Sequence, residues 1–223
     1  MKTNGKEFEH YIFLIISETP SRFGRVIRFF TKTKYNHASL AFDEGLRQLY
    51  SFGRRQNKVP LNAGLVKEYP ERFSLGKVDC VNVRIYKIPV TRNQYLRGKR
   101  RIKQIMDDPD GYLYNLFSVL SYPIFHGFHT YKAYSCAEFV AHMLDYMGVV
   151  LDGNKCEYEY TPQEIAESLD TQIVFEGNLL EYCNYEHSVP EYFFKNPRYF
   201  SATYITCTVI ARLLYRKLRH IAI

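Results

Sequence analysis

Tyr134-Ser-Cys-Ala-Glu-Phe-Val-Ala-His-Met-Leu-Asp-Tyr-Met-Gly148 reads as an amphipathic helix with both ends marked. Phe139, Val140, Met143, Leu144 and Met147 recur at helical spacing and form one apolar stripe, the pattern of a helix laid on a core. Gly148 stands just past the last periodic residue, where a left-handed backbone closes a helix at no side-chain cost. At the other end Ser135 and Glu138 make the S-x-x-E capping box, in which each side chain takes the other residue's orphan amide. This fixes the helix start and puts Cys136 at the first helical position.

A thiol in the first turn sees unpaired N–H groups and the positive end of the helix dipole, both of which favour the nucleophilic thiolate. The same amides can hold an oxyanion formed on an attacked carbonyl. The position equally suits a small buried residue where helix meets core. Cys80, Cys156, Cys183 and Cys207 have no such setting. Five cysteines with no C-x-x-C spacing predict neither a disulfide framework nor a zinc ribbon. With no H-E-x-x-H, no Cys/His pair at ligand spacing and no Gly-rich phosphate loop, no metal or cofactor is expected.

A thiolate nucleophile needs a base, usually a histidine held by a third polar group. His37 is the best placed. It opens the strand-like run His37-Ala-Ser-Leu-Ala-Phe42, in which Leu40 and Phe42 lie opposite Ser39 and Ala41, so His37 shares its face with small residues that leave room for a substrate or a facing helix. A histidine simply satisfied at a strand end gives the same spacing. His126 and His129 fall in a loop, His142 lies on another face of the cysteine helix, and His10, His187 and His220 have no supporting neighbours. Gln48-Leu-Tyr-Ser-Phe52 reads as the return strand of a hairpin turned at Gly45, and offers Ser51 or Gln48 to orient the imidazole, neither of them charged. Glu138 is assigned to capping.

Around these pieces the chain predicts a buried strand at Tyr11–Ser17, a helix at Ser21–Thr31 and a loop with Pro60, Gly64 and Pro70. Next come a strand at Val78–Ile88 with one solvated face, a basic helix at Thr91–Asp107 and an aromatic-rich segment at Tyr112–Phe128 that is either core or an apolar acyl groove. A second capping box, Thr161-Pro-Gln-Glu164, opens a helix to Leu169. A strand at Gln172–Phe175 with a turn at Gly177, a strand-like run at Ala202–Val209 and a basic amphipathic helix at 210–223 complete one α+β domain over residues 1–223.

The 30 Lys+Arg against 23 Asp+Glu give a net charge of +7 in 223 residues, with 46% hydrophobic residues, enough for a sizeable core. No recognition motif accompanies the charge, so no specific nucleic-acid partner is expected. The apolar run Tyr11–Ile16 is far too short to span a bilayer and no small-residue cleavage site follows it, which predicts a cytoplasmic protein. The interleaved basic and apolar residues Arg212-Leu-Leu-Tyr-Arg-Lys-Leu-Arg219 offer peripheral membrane contact. Oligomeric state is not legible.

The entry Ser21-Arg-Phe-Gly-Arg-Val-Ile-Arg28, the run Thr31-Lys-Thr-Lys-Tyr-Asn-His-Ala-Ser-Leu-Ala41, then Tyr134-Ser-Cys-Ala-Glu-Phe-Val140 and Thr161-Pro-Gln-Glu164 stand in an order that resembles the circularly permuted, NlpC-type branch of the papain-like cysteine peptidases. This is the YiiX-like group, with lecithin retinol acyltransferase as a distant relative. The resemblance covers roughly residues 10 to 185. It implies a permuted papain-like fold, an antiparallel sheet or partial barrel against the helix bearing the nucleophile. Carried over, Cys136 matches the nucleophile, His37 the base and Ser51 the third position, where the family commonly has His, Glu or Gln. The function implied is a cysteine hydrolase of amide or ester bonds acting on a small peptide or acyl-amide substrate. The alternatives are an acyltransferase and a non-catalytic binding module on the same scaffold.

Overall fold

The computed structural model describes residues 10–21, 24–25, 28, 33–183 and 191–221; the helix expected at 21–31 falls largely outside them. Eight strands are described: β1 (His10–Ser17), β2 (His37–Ala41), β3 (Leu49–Gln56), β4 (Val59–Lys67), β5 (Asn82–Val90), β6 (Leu113–Tyr114), β7 (Ala133–Tyr134) and β8 (Gln172–Asn178). The helices are α1 (Pro70–Ser74), α2 (Arg92–Met106), α3 (Leu116–Phe125), α4 (Cys136–Met147), α5 (Pro162–Glu167), α6 (Leu179–Tyr182), α7 (Glu191–Phe194) and α8 (Tyr199–Ile221).

Six strands form one open antiparallel sheet in the order β4-β3-β2-β1-β5-β8, and β6 pairs with β7 in parallel. The molecule is therefore α+β, built on an antiparallel sheet with a helix opened by Cys136 against it. Alternation along the strands supplies two apolar faces. On one, Leu14, Leu40, Phe52 and Ile88 meet Phe139, Val140, Met143 and Met147 of α4. On the other, Phe13, Ile15, Ala41, Leu49 and Ile85 meet Phe73 of α1 and Leu179 of α6. The face of β5 expected to be solvated is thus covered: Val83 and Ile85 are buried on one side and Tyr86, Ile88 and Val90 on the other.

Four further expectations are corrected. The hairpin turn is not made by Gly45. Leu46 takes the left-handed backbone (φ 55°) with its side chain buried in the core, and the Asp43 carboxylate accepts the amides of Arg47 and Gln48 at 2.9 and 2.6 Å. The presumed loop after residue 56 is the edge strand β4. Pro60 is tolerated there because an edge strand has a side with no ladder to donate to. Gly64 is required there, since a Cβ would sit 2.5 Å from the Tyr112 carbonyl oxygen. Gly177 lies within β8 rather than in a turn. Finally, the stretch Ala202–Val209 is helix, and α8 begins at Tyr199 rather than near residue 210. Thr, Ile and Val raise its strand propensity, but Ile205, Val209, Leu213 and Arg216 share one helical face. Val209 and Leu213 bury against Leu113 and Ala133, and tertiary packing overrides the local preference. Among the described residues no helix is long and apolar enough to cross a membrane.

Candidate active site

Cys136 opens α4 as the capping box requires. Ser135 Oγ accepts from the Glu138 amide at 3.1 Å, and Glu138 Oε2 accepts from the Ser135 amide at 3.0 Å. Glu138 is buried and also accepts from Asn115 Nδ2 at 3.3 Å, so its carboxylate serves the helix end. Cys136 is 5% exposed, and its Sγ lies 4.0 Å from the carbonyl oxygen of Asn36, the residue before β2. This contact places the thiol beside the first residue of that strand, His37.

The two groups change each other's chemistry. Burial alone would push the Cys136 thiol up. The His37 imidazole, followed by the backbone amides of Ala38 and Ala137, pulls it below the ordinary cysteine value instead. Burial likewise opposes charge on His37, yet its contacts with Cys136 and then Glu68 lift it from 6.5 to about 9. Both shifts run towards the charged forms, an imidazolium on His37 and a thiolate on Cys136.

Glu68, the residue that follows β4, carries the charge behind the imidazole. Its Oε1 lies 3.6 Å from His37 Nε2, an ion-pair distance, and accepts the Ser51 hydroxyl at 2.6 Å. Its Oε2 accepts from Arg72 Nε at 2.7 Å. Against the cost of burial, Arg72 first and then His37 and Ser51 hold this carboxyl down at about 2. Arg72, on α1, also donates to the Arg54 carbonyl and stacks over the Phe193 ring at 4.2 Å. Ser51 therefore stands one step behind the imidazole, orienting Glu68 rather than the ring. The pairing Leu40↔Tyr50 and Ala41↔Leu49 extends to put Ser39, not His37, opposite Ser51. Gln48 is engaged by the Lys99 ammonium. The small residues beside His37 pack with the core around Phe73, which meets the imidazole edge-on at 5.5 Å.

Sequence reading missed Glu68 because Pro60, Gly64 and Pro70 marked its surroundings as loop. The usable signal was the alternation Val59, Leu61, Ala63, Leu65, which is the period of a strand. It also missed Tyr114, which lines the same small pocket as Cys136. Burial first, and then Cys136, keep that phenol protonated and able to donate.

Two cavities meet at this point. A cleft of about 640 Å³ is lined by His37, Glu68, Asn36 and Tyr114 at one part and by Leu61, Leu116, Phe193, Val209 and Leu213 at another. Arg25, Arg54, Lys58 and Lys77 also line it, so that Glu68, already paired with Arg72, is its sole carboxylate among the described residues. Cys136 opens instead on an adjoining pocket of about 40 Å³ with Ser135, Ala137, Tyr158 and Thr161, and Asn36 and Tyr114 border both spaces. Of the remaining histidines, His142 is held between Glu157 at 3.0 Å and Arg101 at 3.0 Å and stacks on Tyr134. His129 lies 3.8 Å from Glu138. Neither reaches Cys136. Among the described residues no group of His, Cys, Asp and Glu is arranged to hold a metal ion, and all five cysteines are free.

Comparison of the chain with protein-family models, with curated proteins and with solved structures returned no match.

Proposed function

We propose that this chain is a cysteine hydrolase of amide or ester bonds with the strand order of the permuted papain-like group. The observation that carries the reading is the placing of Cys136, first residue of a capped helix with its Sγ 4.0 Å from the Asn36 carbonyl oxygen, next to His37, whose Nε2 lies 3.6 Å from the Oε1 of Glu68 in a buried ion pair with Arg72. The Cys136 thiolate attacks the substrate carbonyl, and the electron pair displaced from the C=O settles on oxygen. The amides of Ala38 and Ala137, which lower the Cys136 thiol, are the donors assigned to that charge. His37 gives its proton to the leaving amine or alcohol, an acyl thioester remains on Cys136, and His37 then takes a proton from the water that releases the acid. Glu68 stabilises the imidazolium through both steps, with Ser51 and Arg72 as its positioning residues.

The cleft fits a substrate with an apolar acyl or peptide portion and an anionic group, since cations outnumber its one neutralised carboxylate. Transfer of the acyl group to an acceptor other than water uses the same intermediate. Free, exposed thiols at Cys80, Cys156 and Cys207 suit the reducing cytoplasm as the place of action. The deep position of Cys136, which opens on the smaller pocket, favours a second reading, a binding module on the same scaffold.

The deciding experiment is mass spectrometry of the chain exposed to panels of acyl amides, acyl esters and γ-glutamyl peptides. A thioester adduct on the Cys136 peptide, lost in Cys136→Ala and in His37→Ala, is the expected result. Ligand binding without any adduct, together with Cys136 alkylation near neutrality no faster than a free thiol, would establish the binding module.

A further inference from the structure

The helix α8 is apolar on two opposite faces, and only one of them is covered. The inner face is the one that docks: Val209 and Leu213 are buried with Leu113 and Ala133, and the guanidinium of Arg216 donates to the carbonyls of Lys132, Asp110 and Gly111 at 2.9, 3.0 and 2.9 Å. On the far side Phe200, Tyr204, Cys207, Ala211, Leu214 and Leu218 follow one another at helical spacing along ~27 Å of axis. Phe200 is 86% exposed, Tyr204 71%, Leu214 49% and Leu218 65%. Tyr199 and Tyr215, at 81% and 63%, widen the stripe. Single exposed apolar residues are ordinary on a protein surface, but a continuous stripe of this length marks a site of contact.

The charge on the helix identifies what covers it. From Tyr199 to Ile221 there is no Asp or Glu; Arg219 and Arg212 flank the stripe on one side and Lys217 on the other, with Arg212 also donating to the Asp110 carbonyl and Lys217 to that of His129. A row of large apolar and aromatic side chains edged by cations, on a helix that cannot itself cross a bilayer, is complementary to an anionic lipid surface. Tyrosine is suited to that depth, with an apolar ring and a hydroxyl left in the wet layer.

We propose that the outer face of α8 is a membrane-docking surface, which lays the chain on anionic lipid with the helix parallel to the bilayer plane. Val209 and Leu213, on the opposite side of the same helix, line the cleft that reaches His37, so docking sets the apolar part of that cleft one helix diameter from the lipid. The surface stands independently of whether Cys136 is a nucleophile.

The test is co-sedimentation of the full chain with vesicles of equimolar phosphatidylserine and phosphatidylcholine, and with phosphatidylcholine alone. Binding to the anionic vesicles is expected, at least ~10-fold weaker to the neutral ones and weakened by added salt. The variant Phe200→Ser/Tyr204→Ser/Leu218→Ser, all at exposed positions, should keep the wild-type circular dichroism and lose about 100-fold in partitioning. No binding by the wild type, or undiminished binding by the folded variant, overturns the proposal. So does a wild-type dimer in solution that the same substitutions dissociate, which would make a second copy of the chain the occupant.

Discussion

Replacing Glu68 by Gln keeps the shape of the side chain and removes the charge on which the histidine depends, which makes it the most informative single change. Glu68 is 5% exposed and held at about 2 against an ordinary 4.5. At about 1.4 kcal/mol per pH unit, the folded state then owes on the order of 3 kcal/mol at neutral pH to this ionised carboxyl. His37 is displaced by a similar amount, from 6.5 to about 9, but that shift contains the same contact with Glu68, so the two do not add. The signs are opposite. The depressed Glu68 contributes fully above 4.5 and its contribution fades as pH falls towards 2, whereas the raised His37 contributes fully below 6.5 and fades as pH rises to about 9. Wild-type stability should therefore be greatest between about 4.5 and 6.5. Glu68→Gln should lose about 3 kcal/mol in urea unfolding at pH 7, flatten the acid side of that profile, and move the His37 imidazole titration, read by NMR, down by about one pH unit or more. A folded variant whose His37 still titrates near 9 would refute the electrostatic role given to Glu68. Should the unpaired, buried Arg72 prevent folding, Ser51→Ala is the second probe. It keeps the carboxylate charge, removes the 2.6 Å hydrogen bond, and should cost ~1–2 kcal/mol with a smaller downward shift of His37; no change in either would refute the reasoning equally.

Three other changes separate the parts of the molecule. Tyr114→Phe removes the hydroxyl beside Cys136 without altering packing, and should lower kcat on any substrate found by ~10-fold or more while leaving thermal stability within ~0.5 kcal/mol. Gly64→Ala drives a Cβ to 2.5 Å from the Tyr112 carbonyl and should destabilise by ~1–3 kcal/mol in chemical unfolding. Leu213→Ala opens a cavity where α8 meets β6 and β7, since Leu213 is 1% exposed, and should cost ~2–5 kcal/mol by the same measurement.

Local signals read correctly where the information is local. The two capping boxes at Ser135 and Thr161, the stripe on α4, its αL close at Gly148, and the strands around Leu14 and Leu40 each follow from a handful of neighbouring residues. The readings that differ have long-range causes. Leu46 adopts a left-handed turn because its side chain is wanted in the core, and β4 holds its glycine because the Tyr112 backbone approaches from a distant segment. A β-branched stretch at 202–209 coils into helix because half-buried Ile205 and buried Val209 and Leu213 recur at helical, not alternating, positions against β6 and β7.

The sequence by itself determined the start of α4, the position of Cys136 in its first turn and the candidacy of His37, because caps and periodicity act over three or four residues of one segment. Only the tertiary structure decided which carboxylate serves the histidine. Glu68 is 31 residues from His37 in the chain and reaches it at 3.6 Å only because β4, β3 and β2 pair side by side, which also turns Ser51 towards Glu68 instead of the imidazole. The reach of a side chain across a sheet depends on strand register and on what covers the face. Both are set by the whole core and by no local stretch of residues.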